Sequence, residues 1–166
     1  MTALAPPLTV ELADYGDPLH AADILLLLDA YARDPMGGGE ALSEHVRETL
    51  VPALAAQPGA FTLIARLGDE AVGLANCFMG FSTFAAKPLV NIHDMVVLEG
   101  HRGRGIGRAL FAAIEAEAHR RGACKVTLEV LSGNEPAKAL YSSLGYGQYE
   151  LDPAAGQALF WQKRLT

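Results

Sequence analysis

The stretch EGHRGRGIGRAL, Glu99–Leu110, combines four glycines and three arginines before the chain turns apolar. Glycines lack a Cβ atom, so a ligand can approach their backbone closely. The first amides of a helix have no partner within it, and the helix dipole adds about half a positive charge there. The stretch therefore predicts a phosphate or diphosphate cradle at the start of a helix. A glycine-rich surface loop with solvated arginines is the alternative.

The spacing of the glycines excludes two common nucleotide-binding loops. A Walker loop requires Gly-Lys followed by Ser or Thr, which this stretch lacks. A dinucleotide fingerprint requires a third glycine, or alanine, three residues after the second. The two possible registers place Arg108 or Leu110 at that position. The phosphate ligand must therefore be of another kind.

Two polar residues, His93 and Asp94, interrupt the apolar run Val90–Leu98. An aspartate buried in such a strand needs a polar partner. Side chains alternate along a strand, so the two residues are expected on opposite faces of the sheet. Either one could take a proton from a substrate, directly or through water. A purely structural hydrogen bond to the backbone remains open for both.

Hydrophobic periodicity, caps and turn residues predict the elements that position these groups. Their order is strand, two helices, three strands, helix, strand, helix and two closing strands. Strands are predicted over Leu8–Leu12, Phe61–Leu67, Ala71–Phe81, Val90–Leu98, 125–131, 146–151 and 157–165, and helices over 18–33, Glu44–Ala56, 105–121 and Asn134–Ser143. The 166 residues suit one compact domain, predicted to span 1–166.

The segment Arg102-Gly-Arg-Gly105-Ile-Gly107 matches the pattern R-x-x-G-x-G. The later segment NEPAKALYSSLGY places Asn134 at a helix start, Tyr141 seven residues on and Gly145-Tyr146 at its end. Together these segments resemble the GNAT superfamily of N-acetyltransferases. The resemblance implies an α/β (α+β) GNAT acyl-CoA N-acyltransferase fold, with a central mixed, mostly antiparallel twisted sheet flanked by about four helices. It also implies acetyl-CoA as acetyl donor. The two cysteines are not spaced for a zinc site, and no metal is expected.

Residues 60–165 resemble the diamine and thialysine acetyltransferase branch more narrowly. The resemblance rests on Gly80–Pro88 (GFSTFAAKP), on NIHDMVV and on the closing GQALFWQKRL. That branch commonly has glutamate where His93 stands. A neutral histidine weakens the case for a polyamine and suits a singly charged amine or an amino acid.

The resemblance implies a role for each candidate residue. The pyrophosphate and pantetheine of acetyl-CoA would be held by Met95, Val96, Val97, Arg102, Gly103, Arg104, Gly105, Ile106, Gly107, Arg108, Asn134 and Tyr141. Arg104 and Arg108 either contact phosphate or face water. A backbone amide near Met95–Val97 would polarise the thioester carbonyl. Tyr141 would protonate the leaving thiolate, and His93, Asp94 or a water chain would take the proton of the amine.

The wall that contacts the acceptor amine is assigned by the same resemblance to Met36–Leu42 and Gly80–Phe84. Glu40 and Glu44 could attract a cation there, although carboxylates at a helix start are often simply solvated.

Composition limits the partners. The net charge of −6 argues against non-specific nucleic-acid binding, which needs a basic face. The two cysteines, Cys77 and Cys124, lie in apolar runs and are expected to be buried, reduced thiols of a cytoplasmic protein.

The N-terminus lacks a signal-peptide pattern, and no apolar run is long enough to cross a membrane. The resemblance also suggests a homodimer.

Three functions follow from these observations. The first is transfer of an acetyl group from acetyl-CoA to a primary amine of a small molecule such as a polyamine, an amino acid or a thialysine-like compound. The second is the same chemistry on a lysine or N-terminus of a protein or peptide. The third is a non-catalytic acyl-CoA-binding module. The presence of both Tyr141 and the glycine-rich turn argues against the third.

Overall fold

The computed structural model describes residues 6–149 and 152–165. The chain divides into two compact parts, the first ending at Leu131 and the second beginning at Ser132. The elements of the first part are β1 (Leu8–Leu12), α1 (Pro18–Arg33), α2 (Glu44–Ala56), β2 (Ala60–Leu67), β3 (Glu70–Ser82), β4 (Lys87–Val97), a 3₁₀ helix (Glu99–His101), α3 (Ile106–Arg120) and β5 (Val126–Leu128). The second part contains α4 (Glu135–Ser143) and a 3₁₀ helix (Pro153–Ala155).

A single five-stranded sheet, in the order β1-β2-β3-β4-β5, organises the first part. The first four strands pair antiparallel, and β5 joins β4 in parallel. A mostly antiparallel mixed sheet with four α-helices in the described residues confirms the predicted fold class. None of the described helices has the length and apolar character needed to span a membrane.

Local capping explains where α1 and α2 begin. The Asp17 side chain accepts a hydrogen bond from the amide of Leu19, and Pro18 occupies the first helical position. Ser43 accepts from the amide of Val46 in the same way. Both predicted helices are confirmed. Their apolar residues form one core with one face of the sheet, and this core contains Ile24, Leu27, Val51, Leu54, Ile64, Leu74 and Val96.

Helix α3 packs close to β3 on the other face of the sheet, and Gly73 makes this approach possible. A Cβ atom at Gly73 would lie 3.1 Å from the side chain of Ile106 and 3.2 Å from that of Leu110. Both residues are almost completely buried. The sheet is therefore covered by α1 and α2 on one side and by α3 on the other.

The pairing of β3 with β4 shifts at one position. Asn76 pairs with Asp94 and Cys77 with Ile92, so His93 has no partner in β3 and forms a β-bulge. The parallel pairing of β4 with β5 covers Val90–Ile92 and stops at the same place. The predicted strand over 125–131 is correspondingly shortened to Val126–Leu128.

In the second part, Asn134 caps α4 by accepting a hydrogen bond from the amide of Ala137, which confirms the predicted helix. The two predicted closing strands are wrong for the described residues 146–149 and 157–165, which form no strand. Glu150 and Leu151 lie outside the described residues. A strand requires a hydrogen-bonded neighbour and a buried face, whereas Trp161 here is 84% exposed and Phe160 79% exposed.

Candidate functional site

The bulge in β4 brings His93 and Asp94 to the same face of the sheet. Leu74 and Phe78 of β3 both contact the α1–α2 core, and Asn76 lies between them on that face. Asp94 accepts a 3.0 Å hydrogen bond from Nδ2 of Asn76. The His93 ring packs edge-on against Phe78, with ring centroids 5.5 Å apart. The expected placement on opposite faces is wrong, because the extra residue of a bulge interrupts the alternation.

A chain of buried polar side chains leads across the sheet to Asp94. Thr62 of β2 and Asn76 of β3 are 0% and 2% exposed. The Thr62 hydroxyl donates to Oδ1 of Asn76 at 2.7 Å, and the Tyr15 hydroxyl lies 2.9 Å from Thr62 Oγ1. Sequence reasoning missed these three residues. For Thr62 and Asn76 the available signal was a polar side chain between apolar neighbours within a strand.

Two carboxylates influence Tyr31 of α1. Burial raises the pKa of Tyr31, and the charges of Asp94 and Asp34 raise it further. Tyr31 thus keeps its proton at neutral pH. Asp34 follows the last residue of α1.

The two cysteines differ. Burial, followed by the charge of Asp94, raises the pKa of Cys77 to about 12, so this thiol is not a nucleophile at neutral pH. Cys124 is exposed, which contradicts the expectation that both thiols are buried. The reason is that Cys124 precedes β5 in a connection rather than lying within a strand.

The glycine-rich turn has the geometry expected of an anion cradle. Gly103 and Gly105 adopt left-handed φ values of 75° and 81°. A Cβ atom at either position would meet nothing within 4 Å, so the space in front of both is open. Gly105 is the N-cap of α3, and no side chain caps this helix end. Ile106 is 2% exposed, so only its backbone can contact a ligand.

Arg102 is held by the protein itself. Its Nε donates to the carbonyl of Val97 at 3.1 Å, and its Nη2 to Oδ2 of Asp34 at 2.9 Å. This hydrogen bond holds the pKa of Asp34 below its usual range. Arg104 lies 3.3 Å from His101 Nδ1. Arg108 has an exposed side chain on the first turn of α3.

A cavity of about 410 Å³ lies between the last turn of α1 and the end of β4. Its lining includes Asp34, Val96, Val97, Glu99 and Arg102. In the described part of the chain, β5 pairs with β4 only as far as Ile92. The edge of β4 that carries Met95–Val97 is therefore not covered by β5. The end of β4, the glycine-rich turn and this cavity all lie in the first compact part.

The segment after α1, assigned to the acceptor wall, is fixed by hydrogen bonds. The amide of Met36 donates to Asp34, and that of Leu42 to Asp29. A Cβ atom at Gly37 would lie 1.9 Å from the carbonyl oxygen of Tyr31, so only glycine fits there. The rest of the proposed wall, Gly80–Phe84, and the carboxylates of Glu40 and Glu44 are mostly exposed.

Asn134 and Tyr141 lie in the second compact part. Asn134 is the N-cap of α4, and Tyr141 lies within this helix. Asn134 uses its side-chain oxygen to cap the helix. Among the residues that the structure describes, no group of three or more His, Cys, Asp or Glu side chains is arranged to hold a metal ion.

Comparison with known families identifies this arrangement. Residues 25–146 match the model of the acetyltransferase (GNAT) family. The streptothricin acetyltransferase of Streptomyces lavendulae is 38% identical over 90 residues, which are 52% of this chain and 48% of that protein. The chain spans about half the length of the curated relatives it matches.

Comparison with solved structures gives the same fold. An aminoglycoside acetyltransferase from an uncultured soil metagenomic sample, in complex with sisomicin, superposes with a TM-score of 0.77 and 19% identity. That alignment covers 96% of this chain and 97% of the other. The aminoglycoside N-acetyltransferase AAC(6')-Iy in complex with CoA superposes with a TM-score of 0.74 and 15% identity, over 99% of this chain and 100% of the other.

Proposed function

The chain belongs to the acetyltransferase (GNAT) family, and we propose that it transfers the acetyl group of acetyl-CoA directly to a primary amine of a small molecule. One observation carries this proposal. Strand β4 loses its β5 partner at the bulge and leads through a 3₁₀ helix to two left-handed glycines with open space before them. A strand edge and a helix start suit an extended molecule that carries a pyrophosphate.

In this proposal the pyrophosphate lies over residues 103–107, where the amides at the start of α3 donate to it. Arg102 contributes charge at the same end of the cavity. It would have to exchange Asp34 for phosphate in order to contact the ligand directly. The pantetheine arm follows the uncovered edge of Met95–Val97. Val96 is 5% exposed, so its contribution is through the backbone.

Asp94 is the proposed proton acceptor, with His93 beside it on the same face. A primary alkylamine has a pKa of about 10.4 and therefore arrives protonated. Once the proton is removed, the amine nitrogen attacks the thioester carbonyl carbon, the carbon–sulfur bond breaks and the CoA thiolate leaves. A backbone amide of β4 stabilises the oxyanion that forms in between.

Tyr141 is proposed to return a proton to the thiolate, since a phenol remains protonated at neutral pH and can donate. We expect Tyr141→Phe to lower kcat by about 10²-fold while the acetyl-CoA Kd stays unchanged. Steady-state kinetics and calorimetry of the same preparation test this expectation. A wild-type kcat in the variant would remove Tyr141 from the acid role.

The acceptor is proposed to be cationic and small. Asp34 is paired with Arg102, whereas Asp94 takes part in no ion pair of the described residues, so the Asp94 carboxylate would attract a cationic amine. The relative named for streptothricin and the neighbour bound to sisomicin support an amine-bearing antibiotic as one candidate. The resemblance of residues 60–165 supports a diamine, thialysine or amino acid as another. The same resemblance suggests a homodimer, which light scattering can test. The two cysteines, too few for a disulfide framework, support the proposal of a cytoplasmic protein.

The experiment is a thiol-release assay with acetyl-CoA and a panel containing streptothricin, sisomicin, diamines, thialysine, amino acids and a lysine peptide. Because Cys124 is exposed, protein without acetyl-CoA must be run as a blank for the thiol reagent. We expect CoA release with at least one small amine. Release with the peptide alone would favour protein acetylation, and acetyl-CoA binding without release from any amine would contradict the enzyme proposal.

A further inference from the structure

We propose that Tyr15, Thr62 and Asn76 form a one-way hydrogen-bond chain that positions the Asp94 carboxylate to accept the proton of the acceptor amine. This inference rests on the proposed function. It concerns residues on three different segments, since Tyr15 precedes α1, Thr62 lies in β2 and Asn76 in β3. None of them belongs to the glycine turn or to the edge of β4.

The chemistry of the four groups fixes the direction of the chain. An ionised carboxylate only accepts hydrogen bonds, so Asn76 must turn its Nδ2 towards Asp94. Its Oδ1 then faces Thr62 and accepts the single hydroxyl proton of that residue. Thr62 Oγ1 has no further proton, and Tyr15 must donate to it. Every donor in the chain therefore points towards Asp94.

Two observations show that this chain is well determined. Thr62 and Asn76 are buried, and no buried side-chain nitrogen or oxygen in the described residues lacks a hydrogen-bond partner. Burial raises the pKa of Tyr15, so its hydroxyl keeps the proton that it donates. Turning the Asn76 amide over would point Nδ2 at the hydroxyl of Thr62. It would also place Oδ1 of Asn76 against the Asp94 carboxylate, so that two acceptors face each other.

The result is a carboxylate with one oxygen in a hydrogen bond and the other without a hydrogen-bond partner in the described part of the chain. Asn76 donates to Oδ2 of Asp94. The titratable groups around Asp94 are Tyr31 from α1, Cys77 from β3 and His93 from its own strand. Tyr31 and Cys77 are uncharged at neutral pH because their pKa values are raised. Tyr15, Thr62 and Asn76 are positioning residues, and Asp94 alone would contact the substrate.

Thr62→Val tests the chain because it removes the hydroxyl and leaves the shape of the side chain. Without this donor only the hydrogen bond to Asp94 orients the Asn76 amide. We expect kcat to fall about tenfold with an unchanged acetyl-CoA Kd. We also expect the acidic limb of the kcat/KM profile to move to higher pH, because the Asn76 donor that favours the charged carboxylate is held less firmly. Thr62→Ser restores the hydroxyl and should restore both properties.

Thr49→Val is the matched control. It removes the same kind of hydroxyl from α2, where Thr49 donates to the carbonyl of His45 on an exposed surface. This variant should retain wild-type kcat and pH profile. Asn76→Leu should produce a larger loss than Thr62→Val, and the Thr62 pair decides the question if Asn76→Leu does not fold.

Asp94→Asn separates this inference from the proposed function. An inactive Asp94→Asn together with wild-type kinetics in Thr62→Val would overturn the chain and leave the function intact. Equal losses in Thr62→Val and Thr62→Ser would also overturn it, since they would indicate packing rather than the hydroxyl. An active Asp94→Asn would remove the proton acceptor from the proposed function itself.

Discussion

Two polar networks lie beneath α1 on the same face of the sheet, and they end differently. Arg66 donates to Glu11 of β1 at 2.6 Å, to Asp23 of α1 and to the carbonyl of Asp69. We call this network closed, because the buried guanidinium of Arg66 is paired with two carboxylates. The chain from Tyr15 instead ends at Asp94, which takes part in none of the ion pairs found among the described residues.

We propose that the difference separates a stabilising network from a catalytic one. In the first, a buried cation is paired with two carboxylates and joins β1, α1 and β2. In the second, an open chain of neutral donors ends in the Asp94 carboxylate, whose Oδ1 has no hydrogen bond to the described residues. Both networks lie at a register shift in the sheet, one between Ala65 and Arg66 and the other between Asn76 and Cys77. A bulge alone therefore does not make a site, and we propose that the Asp94 carboxylate, which is outside the ion pairs of the described residues, is the distinguishing feature.

The largest expected effect is on the open network. Asp94→Asn keeps the shape of the side chain and removes the base, so kcat/KM with the preferred amine should fall by about 10²–10⁴-fold. The denaturation midpoint should change little, because the side chain is only partly buried. Steady-state kinetics and urea denaturation of one preparation measure both. A wild-type rate would place the base elsewhere, with His93 as the next candidate.

The closed network should respond in the opposite way. Arg66→Met leaves the mostly buried Asp23 carboxylate without its cation, and the free energy of unfolding should fall by about 2–3 kcal/mol. We expect this loss of unfolding free energy to be smaller than for a fully buried ion pair, because the Glu11 side chain is 43% exposed. Urea denaturation measures the loss. The kcat per folded molecule should remain that of the wild type.

Arg33→Met serves as its control, because it breaks an ion pair on the surface, where the Arg33 side chain is 60% exposed. That variant should lose less than about 0.5 kcal/mol. If Arg66→Met were no more destabilised than Arg33→Met, or if it lost kcat, the division between the two networks would be wrong.

The glycines at the two ends of α3 can be compared for their effect on ligand binding. Gly105 before the helix and Gly122 after it both have left-handed φ values, 81° and 71°, and both face open space. Replacement by alanine at either position should destabilise the fold by a similar amount, about 1 kcal/mol. Only Gly105→Ala should also weaken acetyl-CoA binding, by about tenfold, because its methyl group occupies the cradle.

Isothermal titration of both variants with acetyl-CoA provides the measurement. Gly122 lies one helix length from the cradle, about 22 Å, and controls for backbone strain. Equal Kd values for the two variants would show that the open space at Gly105 is not where the pyrophosphate binds.

The smallest effect concerns a carboxylate with no place in either network. Arg33 first, then the amide of Leu42, lower the pKa of Asp29 to about 2. The unfolded chain therefore takes up this proton at a higher pH than the folded chain. Its contribution to stability is present above about pH 4 and is lost as the pH falls towards 2.

Asp29→Asn should therefore flatten the decrease of the melting temperature between pH 4 and pH 2. Glu40→Gln removes an exposed carboxyl outside these ion pairs and should leave that slope unchanged. A slope identical to the wild type in Asp29→Asn would show that the hydrogen bonds to Asp29 do not persist in solution.

Local patterns predicted most of the fold. Helix caps and strand alternation depend on residues close in sequence. The elements predicted in this way are present, namely the helices capped by Asp17, Ser43 and Asn134 and the strands β2 and β3. The glycine turn was also predicted, because a left-handed glycine before an apolar helix is a local feature.

The arrangement of the site could not be predicted in the same way. The bulge at His93 exists only in the pairing of β4 with β3, so alternation within β4 alone placed His93 and Asp94 on opposite faces. The chain behind Asp94 joins Tyr15 to Thr62 across 47 positions and Thr62 to Asn76 across 14. The apolar pattern over 157–165 predicted a strand, although these residues form none.

The most direct test is a crystal structure of the protein with acetyl-CoA. We expect a pyrophosphate over Gly103–Gly107, a pantetheine arm along the edge of Met95–Val97 and a thioester within reach of the bulge at His93 and Asp94. Asp94 should still accept from Asn76 in that complex. A cofactor bound away from the uncovered edge of β4, or an Asp94 carboxylate turned away from the thioester, would contradict the proposed function.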